Sequence, residues 1–482
     1  MFASSLTAGR IVMIWSGLAI AALYVVGLLM RPALPIDETR YLTVAWEMYV
    51  RHDWLAPLTV NFQPYHHKPP LLFWLINAAW SVFGASRWAA MLPSALMSAV
   101  VAFLTLHLAR ALFPQNRENA LLAPVILIGS VPFVIYGNLI MFDITLCAFV
   151  LATFLSILAY KQSGRMIHVL LAGLWMGLGV LTKGPVAWLY IMTPLLLGPV
   201  WLQGAVPRPT WYYACISAFI LSLLPVVLWL IPVLRASDSH FVFWLLWEQT
   251  AGRVTGHFQA SHARPFYFYL PLLPLMMMPW ILTPRLWRQA KSGFNLTDPG
   301  YGFLLSWLVP LFVMFSLISG KQPHYLLPLL PGVAIFTAMT ASLTQHQVLR
   351  TATCTVLVCI VFQIGGSKLL SKYDLTPIAT LVRHSSTSDI AVAQPYHGEF
   401  SFLAGLHKKL DEENRNSLPS WFVKHPQGIA IVRFDKDSEV ANYRKLFEMP
   451  YRNSRIGLFV GQYATEKLIA SIENASLTTH TD

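Results

Sequence analysis

The sequence predicts an all-α membrane bundle of about eleven spans, with interfacial helices in its outer loops, followed by a small C-terminal α/β domain. Three observations predict it. Of 482 residues, 56% are hydrophobic and only 12% charged, and the mean hydropathy is +0.54, which excludes an ordinary soluble protein. Apolar runs long enough to cross a bilayer recur through residues 1–366. From 367 to 482 the chain takes on soluble composition, with short β-rich runs between helical ones.

Taken in order, residues 11–30 form the first span, read as an uncleaved signal anchor because no small-residue cleavage site precedes the charged loop. That loop, Pro35 to Arg87, is too long for a simple connector. Within it, Thr39–Tyr49 and Pro70–Phe83 read as interfacial helices too short to cross. Spans follow at 88–113, 120–137, 144–160, 167–182, 185–202 and 212–234. A second long loop, 235–265, precedes spans at 266–284, 301–318, 323–343 and 350–366. In the C-terminal domain, strands are expected at 389–395, 428–434 and 455–461, and helices near 375–384, 439–447 and 464–472. The tail ASLTTHTD is expected to be disordered.

The net charge of +12 is scattered at the ends of apolar runs. No dense basic segment exists to hold nucleic acid, and the bilayer is the expected partner. All four cysteines lie in apolar stretches and read as small core residues, not as a disulfide framework. With the N-terminus inside, Arg110, Arg117, Lys161, Arg165, Arg208, Arg285, Arg288, Lys291 and Arg350 fall on the inner side. Lys68, Lys183 and Lys321 then lie outside, against the usual bias. Either they anchor the interface or they share an anionic ligand.

The outer side also carries acids. Asp37 and Glu38 open a helix just beyond the first span, where they either favour the helix dipole or handle a nucleophile's proton. Arg40 and Tyr41 lie one turn on. Lys68, fixed by Pro69 and Pro70, either snorkels or holds a phosphate. Asp143, at the mouth of an apolar run, demands a cation partner or a wet cavity. Lys183 and Lys321 are each followed by a proline within two residues, and His324 and Tyr325 could bond the same anion as Lys321. Glu248, Arg253, His257, His262 and Arg264 supply further polar groups. A divalent metal on His66 or His67 with His257 or His262 is conceivable, although no tight ligand spacing marks it. Several cations around few acids suit transfer of a group whose leaving group is a phosphate.

Asp37-Glu38-Thr39-Arg40-Tyr41, Trp46-Glu47-Met48, Trp54, Lys68-Pro69-Pro70-Leu71, Asp143, Lys183-Gly184-Pro185, Trp247-Glu248, His262–Pro265 and Lys321–Pro328 together resemble polyprenyl-phosphate-sugar glycosyltransferases. Among these, the resemblance is to the bacterial aminoarabinose transferases that modify lipid A and to the wider protein O-mannosyltransferase superfamily, over about residues 10–345. It implies a C-type glycosyltransferase fold and inverting transfer from an undecaprenyl-phosphate sugar on the periplasmic face of the bacterial inner membrane. The acceptor would be lipid A, lipopolysaccharide core or another envelope glycan.

By the same resemblance, Asp37 is the first-loop catalytic acid, Asp143 the second acid, and Arg40, Lys68, Lys183, Arg253 and Tyr325 surround the donor phosphate. With a phosphate acceptor, Asp37 would position the acceptor or bind a cation and not serve as base. His67 stands where aminoarabinose transferases commonly carry glutamate, which puts a family metal site at His67 and His262 in doubt. Two other readings remain open: the same chemistry on a protein Ser or Thr, and transport of a lipid-linked sugar. Transport predicts charges near mid-bilayer on broken or repeated helices, whereas these cluster at one surface.

Overall fold

A computed structural model describes residues 2–55, 58–236, 263–292, 297–385 and 387–479. Among them, seven helices are long and apolar enough to cross a membrane: Ala8–Met30, Arg87–Leu112, Phe142–Ser163, Met166–Lys183, Arg208–Ala236, Pro299–Leu317 and Gln345–Tyr373. Each matches one expected span. The other four apolar segments are divided. The segment at 120–137 becomes Leu122–Ile128 and Val131–Tyr136, and that at 185–202 becomes Val186–Leu196 and Gly198–Trp201. Residues 266–284 hold short pieces at Phe266–Tyr269, Leu272–Met276 and Trp280–Leu282, and 323–343 starts as a tight turn over Pro323–Leu329 before Leu330–Thr340.

Proline supplies the reason, because it removes a backbone donor and clashes with the preceding turn. One or two well-spaced prolines are accommodated in Arg87–Leu112, Arg208–Ala236 and Pro299–Leu317. Closely spaced proline and glycine, as in Pro271, Pro274 and Pro279 or Gly198-Pro199, break the run.

The chain divides into two compact units. The first, Met1–Gly27, His66–Ala79 and Trp88–Phe362, is the apolar helical bundle. Its core runs through Leu146, Val150, Phe154, Trp201, Trp211, Phe303 and Trp307.

The second unit combines Leu28–Tyr65, Trp80–Arg87 and Gln363–Asp482. Its centre is a five-stranded sheet in the order Asp411–Glu412, Ile390–Val392, Ile429–Phe434, Ser454–Val460, Arg444–Tyr451. The first three strands pair in parallel and the last three antiparallel. Alternation sorts the side chains of the middle strand. Ile429 and Ile431 meet Ile378, Leu381, Leu468 and Ile472 of the helices Thr376–His384 and Glu466–Thr479, while Ala430 and Val432 meet Trp421 and Phe422 of Leu418–Lys424.

Two expectations are corrected here. The stretch read as helix at 439–447 is turn as far as 443 and then enters the edge strand Arg444–Tyr451, whose Pro450 an edge position tolerates. The final helix continues through Thr479, into the tail expected to be disordered.

The first-loop helix is Asp37–Arg51, slightly longer than expected. It lies within the second unit against the segment between the strands Ile390–Val392 and Asp411–Glu412. Thr43 donates to the Gly398 carbonyl at 2.7 Å, and the Trp46 indole donates to the Leu406 carbonyl at 2.8 Å. Trp80 stacks on Phe402 with ring centroids 5.2 Å apart.

Candidate active site

In the helical bundle the site begins with Asp143, in the first turn of Phe142–Ser163. Lys183 is the last residue of Met166–Lys183. The following residue, Gly184, has φ +83°, a conformation that ends the helix and that a side chain would strain. These two helix ends place the Lys183 Nζ 2.5 Å from the Asp143 Oδ1, with the side chains 6% and 2% exposed. Such a pair needs further polar company to offset its desolvation.

That company is present. Lys183 lies 4.6 Å from the Tyr325 ring centroid, and the His324 and Tyr325 rings meet edge to face at 4.9 Å. Lys68 sits 5.7 Å over the ring of Phe142, next to Asp143 in sequence. Lys183, His324 and Lys68 each act on the Asp143 carboxylate as neighbouring positive or protonatable groups. Among the described residues this carboxylate thus has two lysines and a histidine in its neighbourhood, more cations than acids, a balance that suits a further anion. The segment bearing His324 and Tyr325 is held from behind. Tyr190 donates to the Tyr325 carbonyl at 2.6 Å, and Tyr269 to the Gln322 carbonyl at 3.1 Å.

Lys321 does not join this cluster. Its ammonium donates to the Arg264 carbonyl at 2.9 Å and to the Ile318 carbonyl. It ties two backbone segments that also meet through the Arg264 N–H and Ser319 carbonyl at 3.1 Å.

In the second unit, Asp37 is exposed and accepts the Tyr41 hydroxyl at 3.4 Å. Glu38 has the opposite environment. It is buried, grips the Arg31 guanidinium with both oxygens, and accepts the Leu34 N–H at 3.0 Å. Glu38 therefore holds the turn after the first helix, with both oxygens engaged in hydrogen bonds. Arg40 is half-buried, with no hydrogen-bond partner for its buried Nε among the described residues.

The His66 and His67 rings meet at a tilt of 41°, with centroids 4.1 Å apart. No group of three or more His, Cys, Asp or Glu side chains converges as metal ligands among the described residues. His262, together with Glu248, Arg253 and His257, lies outside the described residues. Sequence reasoning missed Tyr190 and Tyr269; a tyrosine inside an apolar run was the only signal for either. It also missed Asn61, and it named Glu47 only within the resemblance; both fasten the first loop. Glu47 Oε2 accepts the Thr59 hydroxyl at 2.6 Å and the Phe62 N–H at 2.8 Å.

Residues 67–229 match the family described as dolichyl-phosphate-mannose-protein mannosyltransferase. Over 305 residues the chain is 31% identical to the undecaprenyl phosphate-alpha-4-amino-4-deoxy-L-arabinose arabinosyl transferase of Pseudomonas paraeruginosa, covering 62% of this chain and 54% of the relative. Over 315 residues it is 30% identical to a second such transferase, from Proteus mirabilis, with 63% and 54% covered. The match thus spans about half the length of these relatives. Among solved structures, ArnT from Cupriavidus metallidurans bound to undecaprenyl phosphate aligns with a TM-score of 0.75 at 18% identity, over 94% of this chain and 98% of that one. The archaeal oligosaccharyltransferase AglB of Archaeoglobus fulgidus aligns with a TM-score of 0.57 at 12% identity, over 97% and 77%. These two structures share the fold. The chain with this buried acid–lysine pair is thus similar, over part of its length, to aminoarabinose transferases and to the protein mannosyltransferase family.

Proposed function

We propose that this protein is an inverting glycosyltransferase that moves a sugar from a polyprenyl-phosphate donor to lipid A, lipopolysaccharide core or another envelope glycan. The observation that carries the reading is the buried Asp143–Lys183 pair with Lys68, His324 and Tyr325 around it. An acceptor oxygen attacks the anomeric carbon, the bond from that carbon to the phosphate oxygen breaks, and the phosphate leaves with the electron pair. Lysines offset the charge that develops on the leaving oxygen. Asp37, exposed at a helix start, takes the acceptor's proton or positions the acceptor when that is itself a phosphate. Arg40 and Tyr41 assist on the same helix. Glu248 and Arg253 are assigned to substrate binding from sequence.

In this reading the four divided apolar segments also cross or enter the bilayer, giving about eleven spans. The N-terminus lies in the cytoplasm, and the acids and the domain from 367 to 482 face the periplasm, with the chain in a bacterial inner membrane. The family match to protein mannosyltransferases favours one second reading, transfer from the same kind of donor to a protein hydroxyl.

Mass spectrometry of lipid A, core glycan and secreted proteins from a deletion strain tests both. A sugar mass missing from the glycolipid fraction supports the first reading, and one missing from a protein fraction supports the second. Unchanged fractions with an accumulating lipid-linked precursor on the inner leaflet would replace both with transport.

A further inference from the structure

The helix Pro284–Ser292, PRLWRQAKS, carries three cations and no acid in its sequence. Leu286 is buried and anchors it, while Arg285, Trp287 and Arg288 are exposed. Two contacts fix its exposed side. The Trp287 indole donates to the Ile281 carbonyl at 2.7 Å. Arg285 donates to the Ser342 carbonyl at 3.2 Å and to the Gln347 side-chain oxygen at 3.1 Å. Arg288 lies one turn along from Arg285 on the same side of the helix.

This helix sits at the end of the bundle away from Asp143. Phe142–Ser163 starts at Asp143, and in its last turn Lys161 lies 5.2 Å from the Trp201 ring centroid. Trp201 in turn meets Phe303 near the start of Pro299–Leu317. Leu330–Thr340 runs antiparallel to Pro299–Leu317, since Gly332 approaches Trp307 and Phe336 meets Tyr301 at 5.9 Å. The chain therefore leaves Thr340 at the Lys161 end, where Ser342 receives Arg285. Acids are scarce there. Among the described residues of the helical unit, the acids besides Asp143 are Glu118 and Asp298, and Asp298 caps its own helix by accepting the Gly300 N–H at 2.7 Å. No ion pair joins Arg285 or Arg288 to a carboxylate among the described residues. Beside the two arginines, Leu282 and Trp287 are 68% and 54% exposed.

From this arrangement we infer that Pro284–Ser292 is a lipid-binding helix: Arg285 and Arg288 hold the phosphate of an anionic phospholipid, and Leu282 and Trp287 meet its acyl chains. Charge and position agree. A guanidinium offers a planar fork that matches phosphate oxygens. Tryptophan favours the boundary between hydrocarbon and water, and a basic amphipathic helix lies in that boundary. Long helices begin or finish at this end, including Phe142–Ser163, Pro299–Leu317 and Gln345–Tyr373, so the patch stands at the level of the head groups. A soluble acidic partner would match the arginines but would leave the exposed Leu282 and Trp287 without apolar cover. The inference is independent of sugar transfer, because the helix lies at the far end of the bundle from Asp143.

Native mass spectrometry of the full chain released from detergent tests it, with phosphatidylglycerol as the probe and phosphatidylcholine as the zwitterionic control. The expected result is tighter binding of phosphatidylglycerol by the wild-type chain. Removing each arginine as Arg285→Gln or Arg288→Gln should weaken that binding about fivefold, the effect of one cation at an anionic surface, and leave phosphatidylcholine unchanged. Arg285 also ties the helix to Ser342, so Arg288→Gln gives the cleaner reading: no hydrogen bond from its side chain is present among the described residues. Arg165, exposed at the same end just before Met166–Lys183, serves as the control. Arg165→Gln should cost less than about twofold. Equal losses for Arg165→Gln and Arg288→Gln would reduce the effect to the general field of the basic end and overturn the inference. So would equal affinity of the wild-type chain for the two lipids, which would leave the arginines to a soluble acidic partner.

Discussion

The side chain of Asn61 pairs with the backbone of Leu410 as a neighbouring strand would. Its amide donates to the Leu410 carbonyl at 3.0 Å while its carbonyl accepts the Leu410 N–H at 2.8 Å. A further bond runs to the Glu412 carboxylate at 2.8 Å. Asn61 itself has φ +56°, a conformation that asparagine tolerates better than most residues. The loop leading to His66, His67 and Lys68 is thereby fastened to the edge of the C-terminal sheet.

Asn61→Ala should destabilise the second unit by about 2 kcal/mol, since it removes these bonds and leaves buried partners unpaired. Asn61→Asp should cost more, because it sets a carboxylate against Glu412. Thermal unfolding and limited proteolysis of the purified chain measure both. Equal stability for the two variants would contradict the account.

Lys183→Met should cost about 3–5 kcal/mol by leaving Asp143 buried without its closest cation. Adding Asp143→Asn should recover most of the folded yield but no sugar transfer. Recovery of transfer in the double variant would remove the pair from the chemistry.

Lys321→Met should lower stability by about 2–3 kcal/mol through two orphaned carbonyls. The donor KM of the surviving protein should stay near wild type. An increase in KM at unchanged stability would return Lys321 to the list of anion ligands.

Glu47 predicts a pH effect. Burial pushes its carboxyl above the usual value of 4.5, against the bonds from Thr59 and Phe62 and the charge of Arg51. Its second oxygen is buried without a hydrogen-bond partner among the described residues. Because the folded-state value exceeds the unfolded one, the folded form binds the proton more tightly. Its stabilising contribution is complete below 4.5 and is lost as pH rises through the folded value. Glu47→Gln should flatten that segment of the stability profile without raising its maximum, since the amide inherits the same unsatisfied position. Denaturation followed across this range compares the slopes, and parallel curves would exclude Glu47 as their source.

The sequence by itself determined the class of the molecule and the identity of the first-loop helix. Run length, hydropathy and proline spacing are local properties, so the seven long spans, Asp37–Arg51 and three of the strands were legible without coordinates. The edge strand Arg444–Tyr451 was not, because one sheet neighbour and mixed exposure leave no clean period of two. Tertiary structure alone decided what each charge does. Glu38 and Asp37 are adjacent in sequence, yet one is locked to Arg31 and the other faces water. Lys183 and Lys321 looked alike, yet the first meets a carboxylate 40 positions away while the second, among the described residues, donates to backbone carbonyls. A charge acts through whatever lies within a few ångströms of it, and chain neighbours do not specify which distant residue that will be.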